Sequence, residues 1–240
     1  MGEGEIMYHY IEDKAYLKRA QTYCSELLTD LIQELLDKNI SSQFFLVGSG
    51  ARNMVSQNGN EPIDFDYNLY VQKCNDINNC QSIKETVRKT FNKVLKAYNL
   101  YDCDDSTSSL TTKPIHFKDR PKIQFSIDLC IVAQNDKGAW FRLIHEKTGY
   151  TSNDRYFWNE APNSKNIKAK AYDIKDAGRW QLVRDEYLEL KNTYLQKNDY
   201  NHPSFICYIE AVNNIYNHLR QIYRDRFKRC IFQIKNQISA

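Results

Sequence analysis

The chain has 240 residues, of which 42% are apolar and 26% charged, and its formal net charge is +3. That is enough apolar material for one large domain or two small ones with a real core. The charge is too slight to argue for a long nucleic-acid partner, which calls for a strong basic stripe.

Residues 11–38 carry apolar side chains at the spacing of one helical face: Leu17, Ala20, Cys24, Leu27, Leu28, Leu31, Ile32 and Leu35. Gln43 to Val47 is a short apolar run closed by Gly48, which predicts a buried strand. Gly48-Ser49-Gly50 reads as a turn, Ala51 to Gln57 as a short helix, and Asn58-Gly59-Asn60 as a second turn. Residues 63–72 alternate, with Ile63, Phe65, Tyr67, Leu69 and Val71 on one side and Asp64, Asp66, Asn68, Tyr70 and Gln72 on the other. This is the period of a strand with one face in the core. Residues 81–98 return to helical spacing through Ile83, Val87, Phe91, Val94, Leu95 and Tyr98, and a polar loop follows from Asp102 to Ser109. Residues 122–133 alternate again, with Ile123, Phe125, Ile127, Leu129, Ile131 and Ala133 facing the core and Ser126, Asp128 and Cys130 facing away. Trp140 to Glu146 reads as one more strand. From about residue 165 the pattern turns helical, with Leu182, Tyr187, Leu188 and Leu190 in one segment and a last helix from near Pro203 to about Ile234.

No stretch approaches the roughly 20 apolar residues of a bilayer-spanning helix. The acidic start MGEGEIMYHY lacks the apolar region of a secretion signal. Ile6 stands where a myristoylation motif on Gly2 needs Ser or Thr, so the expected location is the cytoplasm with no membrane anchor. Seven cysteines at scattered spacings, with no Cys-x-x-Cys and no zinc-spaced His pair, read as reduced, mostly buried thiols.

Three acids carry the chemistry. Asp64 and Asp66 are two residues apart on a strand, so both leave it on the same side. Asp128 joins them if the two alternating strands are neighbours. Clustered carboxylates repel one another unless a cation lies between them. A hard divalent ion with oxygen ligands, Mg²⁺ above all, resolves that repulsion, and two such ions can serve the attacking and the leaving oxygen of a phosphoryl transfer. Asp128 sits in an apolar run, where a lone carboxylate is costly unless paired or metal-bound. Upstream, Gly48-Ser49 offers backbone N–H groups and a hydroxyl to a phosphate, and glycine permits close approach. The absence of a following Lys excludes a P-loop.

The segments FFLVGSGARNMV, PIDFDYNLYV and IQFSIDLCIV, in that order, resemble the nucleotidyltransferase superfamily that includes DNA polymerase beta. The resemblance covers roughly residues 40–135. It implies an α/β (α+β) fold whose core is a small mixed sheet with helices packed on one side, here residues 1–150. A helical C-terminal region, residues 151–240, would follow. It further implies that Asp64, Asp66 and Asp128 are catalytic and bind two Mg²⁺, with Mn²⁺ as an alternative, and that Gly48 and Ser49 hold the phosphates of a nucleoside triphosphate. The implied reaction transfers a nucleoside monophosphate to an acceptor with release of pyrophosphate. The acceptor stays open among another nucleotide, a small molecule and an RNA or protein end. A non-catalytic nucleotide-binding or protein-interaction module on the same fold is the alternative. Two departures are visible: an extra turn at Asn58-Gly59-Asn60-Glu61-Pro62, and Ile63 where many relatives have Ser or Thr. The stretch RWQLVRDEYLELKN followed by HPSF bears a fainter resemblance to the C-terminal part of bacterial relatives of the kind that includes cyclic-oligonucleotide synthases.

Other polar residues have plainer readings. Arg52 reads as a surface or structural arginine ahead of a phosphate contact. Lys175, Arg179 and Arg184, and the stripe Arg220, Arg224, Lys228, read as solvated helix faces. Leu219, Tyr223, Cys230, Ile231 and Ile234 are expected opposite that stripe, in the core. Tyr156, Phe157 and Trp158 form an aromatic cluster in a loop-like stretch and read as packing before base stacking. His116, His145, His202 and His218 lack paired spacing and read as packing or surface residues.

Overall fold

The computed structural model describes residues 7–161, 165–199 and 203–238. The chain forms two compact units, His9–Pro162 and Met1–Tyr8 with Asn163–Ala240.

The first unit is built on an eight-stranded mixed sheet. Its strands are β1 (Ser41–Leu46), β2 (Ile63–Lys73), β3 (Asp104–Asp105), β4 (Leu110–Thr111), β5 (Ile115–Phe117), β6 (Arg120–Gln134), β7 (Trp140–Glu146) and β8 (Arg155–Glu160). The main path runs β8-β7-β6-β2-β1, with β4 and β5 also paired to β6 and β3 paired to β4. β2 and β6 are parallel and the other pairs antiparallel.

Helix α1 (Lys14–Leu36) starts where the Asp13 side chain accepts a hydrogen bond from Tyr16 N–H, an N-cap that satisfies one of the orphan donors. It ends where Asn39 takes a positive φ and Ile40 N–H returns to Leu35 C=O. Its buried stripe is Tyr16, Ala20, Cys24, Leu27, Leu28, Leu31 and Leu35. Helix α3 (Cys80–Ala97) is capped by Asn79, which accepts from Ser82 N–H, and buries Ile83, Val87, Phe91, Val94 and Leu95. Both stripes close on the apolar side chains of β2 and β6: Ile63, Phe65, Tyr67 and Leu69 against Phe125, Ile127, Leu129 and Ile131. Alternation then forces Asp64, Asp66 and Asp128 onto the opposite face.

Four local expectations are corrected. β1 is an edge strand, not a buried one: Phe45 is 44% exposed, because only Phe44 and Leu46 face the core. The short helix is Gly48–Ala51 (α2), one turn earlier than expected, and Ser56–Asn58 is extended. The polar stretch Asp102–Ser109 contains β3, whose two residues are too few to show a period. Tyr156, Phe157 and Trp158 lie in β8, beyond residue 150, and do not act as one cluster. Tyr156 and Trp158 pack toward the core, while Phe157 is exposed.

The second unit holds α4 (Lys165–Asp176), α5 (Trp180–Gln196) and α6 (Ser204–Ile238). Ala171, Ile174, Val183, Tyr187, Cys207, Ala211 and Val212 are buried. Val183, rather than the exposed Leu182, turns inward on α5. Tyr223 is 56% exposed on α6, not in the core, and Arg220 and Arg224 are exposed as expected. The side chains of Lys228, Cys230, Ile231 and Ile234, and His202 and the N-terminal Gly2 and Ile6, lie outside the described residues. Among the described residues no helix is long and apolar enough to cross a membrane.

Candidate active site

The parallel register of β2 and β6 sets Asp66 directly opposite Asp128, and Asp64 opposite Ser126. All three acids therefore share the face away from α1 and α3. Asp64 is exposed, and Asp66 and Asp128 are half-buried. Ser126, itself buried, donates to Asp64 Oδ1 at 2.5 Å. Thr111 on β4, the cross-strand partner of Asp128, donates its hydroxyl to Asp128 Oδ1 at 2.5 Å.

Gly48 closes the site from the β1 side. Its φ is +61°, and a Cβ added there would stand 2.0 Å from Asp66 Oδ2. Val47 N–H donates to the Asp66 carbonyl at 2.8 Å, which ties this turn to the middle acid. Ser49 follows in α2 and is half-buried.

The electrostatics follow from this crowding. Burial, then the nearby charges of Asp128 and Asp64, push the Asp66 carboxyl up to about 6, although Arg52 and Arg142 pull the other way. Burial also raises Asp128, partly offset by the Thr111 hydrogen bond, with Asp64 adding to the rise. Among the described residues, no three His, Cys, Asp or Glu side chains stand ready-made as a metal-binding set. Asp64 and Asp128 each spend one oxygen on a hydroxyl, and the acids feel one another through charge rather than through a closed shell. The donor chemistry nonetheless fits a hard divalent cation: every candidate ligand is a carboxylate oxygen, and a positive charge would relieve the repulsion that raises Asp66.

The fold around this site has solved counterparts. Over 87% of this chain and 61% of that one, the E. coli MS115-1 CdnC:HORMA-deltaN complex superposes with a TM-score of 0.51 at 16% identity. E. coli MS115-1 CdnC with ATP gives 0.50 at 14% identity, over 84% of this chain and 61% of that one. The Elizabethkingia meningoseptica CdnE cyclic dinucleotide synthase with GTP and Apcpp gives 0.50 at 14% identity, over 82% and 69%. The chain has a nucleotidyltransferase fold. It spans about three fifths of the length of CdnC. No protein-family profile and no curated protein matches the sequence.

On this nucleotidyltransferase fold, the residues singled out from sequence are brought together: Asp64, Asp66 and Asp128 across one strand pair, with Gly48 against Asp66. Arg52 is half-buried and acts on Asp66 through its charge. Three participants escaped sequence reasoning. Thr111 lies in a two-residue strand, Ser126 was visible only as a polar position beside Asp128, and Arg142 comes from β7. Beside the site His145, expected as a packing or surface residue, is buried between two carboxylates, with Nδ1 2.8 Å from Asp105 Oδ2 and Nε2 3.1 Å from Asp154 Oδ2. The open face also carries an aromatic row beyond the acids: Phe45 to Tyr70 at 6.5 Å between ring centres, and Tyr70 to Trp140 at 4.9 Å.

Proposed function

We propose that this chain is a metal-dependent nucleotidyltransferase that moves a nucleoside monophosphate from a nucleoside triphosphate to an acceptor. The observation that carries this reading is the register that pairs Asp66 with Asp128, with Asp64 on the same face. Asp64, Asp66 and Asp128 would hold the divalent ions, Asp64 and Asp128 each through the carboxylate oxygen that its hydroxyl partner leaves unengaged. When bound, two Mg²⁺ ions, or Mn²⁺ in their place, supply charge stabilisation at the attacking and leaving oxygens. Gly48 and Ser49 would meet the phosphates. Asp128 would take the proton of the acceptor hydroxyl as that oxygen bonds to the α-phosphorus and pyrophosphate leaves. Arg52 and Arg142, which already act on Asp66, add positive charge beside the triphosphate. The acceptor we favour is a second nucleotide. The modest net charge disfavours a long nucleic acid, and one solved counterpart is a cyclic dinucleotide synthase.

The test is incubation with labelled nucleoside triphosphates alone, with Mg²⁺ and with Mn²⁺, for the natural chain and for Asp64→Asn/Asp66→Asn. A metal-dependent product that the double substitution abolishes supports the reading. Metal-dependent binding that survives the substitution removes it. A second reading is a non-catalytic nucleotide-binding module. It is favoured by the absence, among the described residues, of a ready-made metal set. It requires saturable triphosphate binding with no product under either ion.

A further inference from the structure

Beside the acids lies a buried polar network that the proposed reaction does not use. Lys84 sits on the core-facing stripe of α3, and its side chain is 2% exposed. Its ammonium lies 2.8 Å from Asp105 Oδ1, an ion pair, and donates to Ser106 C=O at 2.8 Å. His145 reaches Asp105 with one ring nitrogen and Asp154 with the other, and stacks on Tyr156 at 4.1 Å between ring centres. His145 N–H donates to Thr107 C=O at 2.8 Å, and Lys147 donates to the Asp105 carbonyl. Burial works against the charge on Asp105, but Lys84, His145 and Lys147 outweigh it and hold the carboxyl below its ordinary range.

The contacts of Lys84, Lys147 and one side of His145 converge on one short piece of chain, the β3–β4 hairpin from Asp104 to Thr111, while Asp154 and Tyr156 hold His145 from its other side. A charged group in an apolar interior is expensive, and in some proteins such a network serves to fix one geometry against alternatives. The two strands contribute only two residues each, too few to hold register by pairing alone. The far end of the hairpin is Thr111, whose hydroxyl donates to Asp128. Behind it, Ser109 Oγ stands 3.5 Å from Thr111 Oγ1, and Ser106 Oγ 2.9 Å from Ser109 Oγ, so the hydroxyls continue the line back toward the anchor. On the near side, Thr112 accepts from Ile127 N–H at 2.9 Å, which locks the chain next to Thr111 onto β6.

We infer that the hairpin is a positioning arm: the Lys84–Asp105–His145–Asp154 anchor fixes Thr111, and Thr111 fixes the Asp128 carboxylate with Oδ1 engaged and Oδ2 left for a cation. Thr111 acts through Asp128 and is a positioning residue. The inference rests on the reading of Asp128 as a metal ligand given above, and it assigns to this chain a supporting shell that orients the ligand. Loss of such a partner typically weakens metal affinity by about 10–100-fold.

The experiment is titration calorimetry of ATP in the presence of Mg²⁺ on the full chain, for Thr111→Val, Thr111→Ser, Asp105→Asn and, as reference, Asp66→Asn. Thr111→Val is expected to weaken metal-dependent binding by about tenfold, Thr111→Ser to restore it to within about twofold, and Asp105→Asn to weaken it by less than Thr111→Val. A merely space-filling role would leave Val as good as Thr and Ser worse, which overturns the inference. If Asp66→Asn abolishes binding and Thr111→Val does not, only the positioning arm falls. If Asp66→Asn leaves metal-dependent binding intact, the metal-site reading itself falls. A crystal structure of Thr111→Val without ligand supplies a readout independent of binding. Asp128 turned away from its present rotamer supports the inference, and an unmoved Asp128 overturns it.

Discussion

Gly48 offers the most demanding check on the site, because two separable penalties meet there. The backbone φ is +61°, a region that costs a residue with a Cβ about 1–2 kcal/mol. The Cβ of Gly48→Ala would also stand 2.0 Å from Asp66 Oδ2 and 2.8 Å from its Cγ. That overlap forces the Asp66 carboxylate out of its place beside Asp128. Adding roughly 1–2 kcal/mol for displacing a packed side chain gives a total of about 2–4 kcal/mol. For a chain of this size the thermal midpoint should fall by about 5–15 °C. Two other glycines separate the contributions. Gly149 has φ +85° with nothing within 4 Å of an added Cβ, so Gly149→Ala reports backbone strain alone. Gly50 has no positive φ, and its Cβ would meet only the flexible Leu46 side chain at 3.0 Å, so Gly50→Ala reports a mild contact. The assay pairs thermal unfolding with calorimetric titration of ATP and Mg²⁺. Gly48→Ala is expected to lose more stability than Gly149→Ala and to weaken metal-dependent binding at least about tenfold, while both controls keep it. A Gly48→Ala protein that binds like the natural chain, with a midpoint no lower than that of Gly149→Ala, would refute the placement of Gly48 against the metal-site carboxylate.

Without metal, Asp66 should make the protein less stable as pH rises. Its folded value of about 6 lies above the ordinary 3.8, so the folded state holds the proton more tightly, and stability declines from about pH 4 to pH 6. Asp66→Asn is therefore expected to exceed the natural chain in stability at pH 8 by on the order of 2–3 kcal/mol and to match it near pH 4 in denaturant titrations. A natural chain as stable as the variant at pH 8 would contradict the burial of Asp66 beside the other two acids. Removing one partner of the buried ion pair of Lys84 and Asp105 should cost far more than removing one of the exposed pair of Lys113 and Asp104, because it leaves a buried charge unpaired. Lys84→Met is expected to cost about 3–5 kcal/mol and Lys113→Ala less than about 1 kcal/mol in the same titration. Because Asp105 is held below its ordinary range, its contribution is present above the unfolded value and lost as pH falls through the folded one. Trp140, 39% exposed beside Tyr70 on the open face, is a candidate platform for a base. Trp140→Ala is expected to weaken nucleotide binding by about 1–3 kcal/mol with little change in thermal midpoint, and unchanged affinity would remove it from the site.

Much of this was legible in the residues. The alternation through Ile63–Val71 and Ile123–Ala133 is local, and burial of one face dictates which side each acid takes. Helix α1 was legible for the same reason: Ala20, Cys24, Leu27, Leu28, Leu31 and Leu35 are buried as their spacing predicts, Leu17 and Ile32 lie at the edge of that stripe, and only Tyr16 was added by the structure. The edge position of β1 was not legible, since an apolar run reads alike whether one face or both are covered; the neighbours decide. Nor was the β3–β4 hairpin, whose strands are shorter than one period of any pattern.

The sequence by itself determined the three acids, the glycine beside them and the faces they occupy, because those depend on chain geometry over a few residues. Only the tertiary structure decided that Asp66 faces Asp128, a partner 62 positions further along the chain. It alone decided that Thr111 reaches the Asp128 carboxylate and that Lys84, Asp105, His145 and Asp154 meet in the interior. Pairing between distant strands and the placing of buried charges are set by how the whole core closes, and no local spacing encodes that closure.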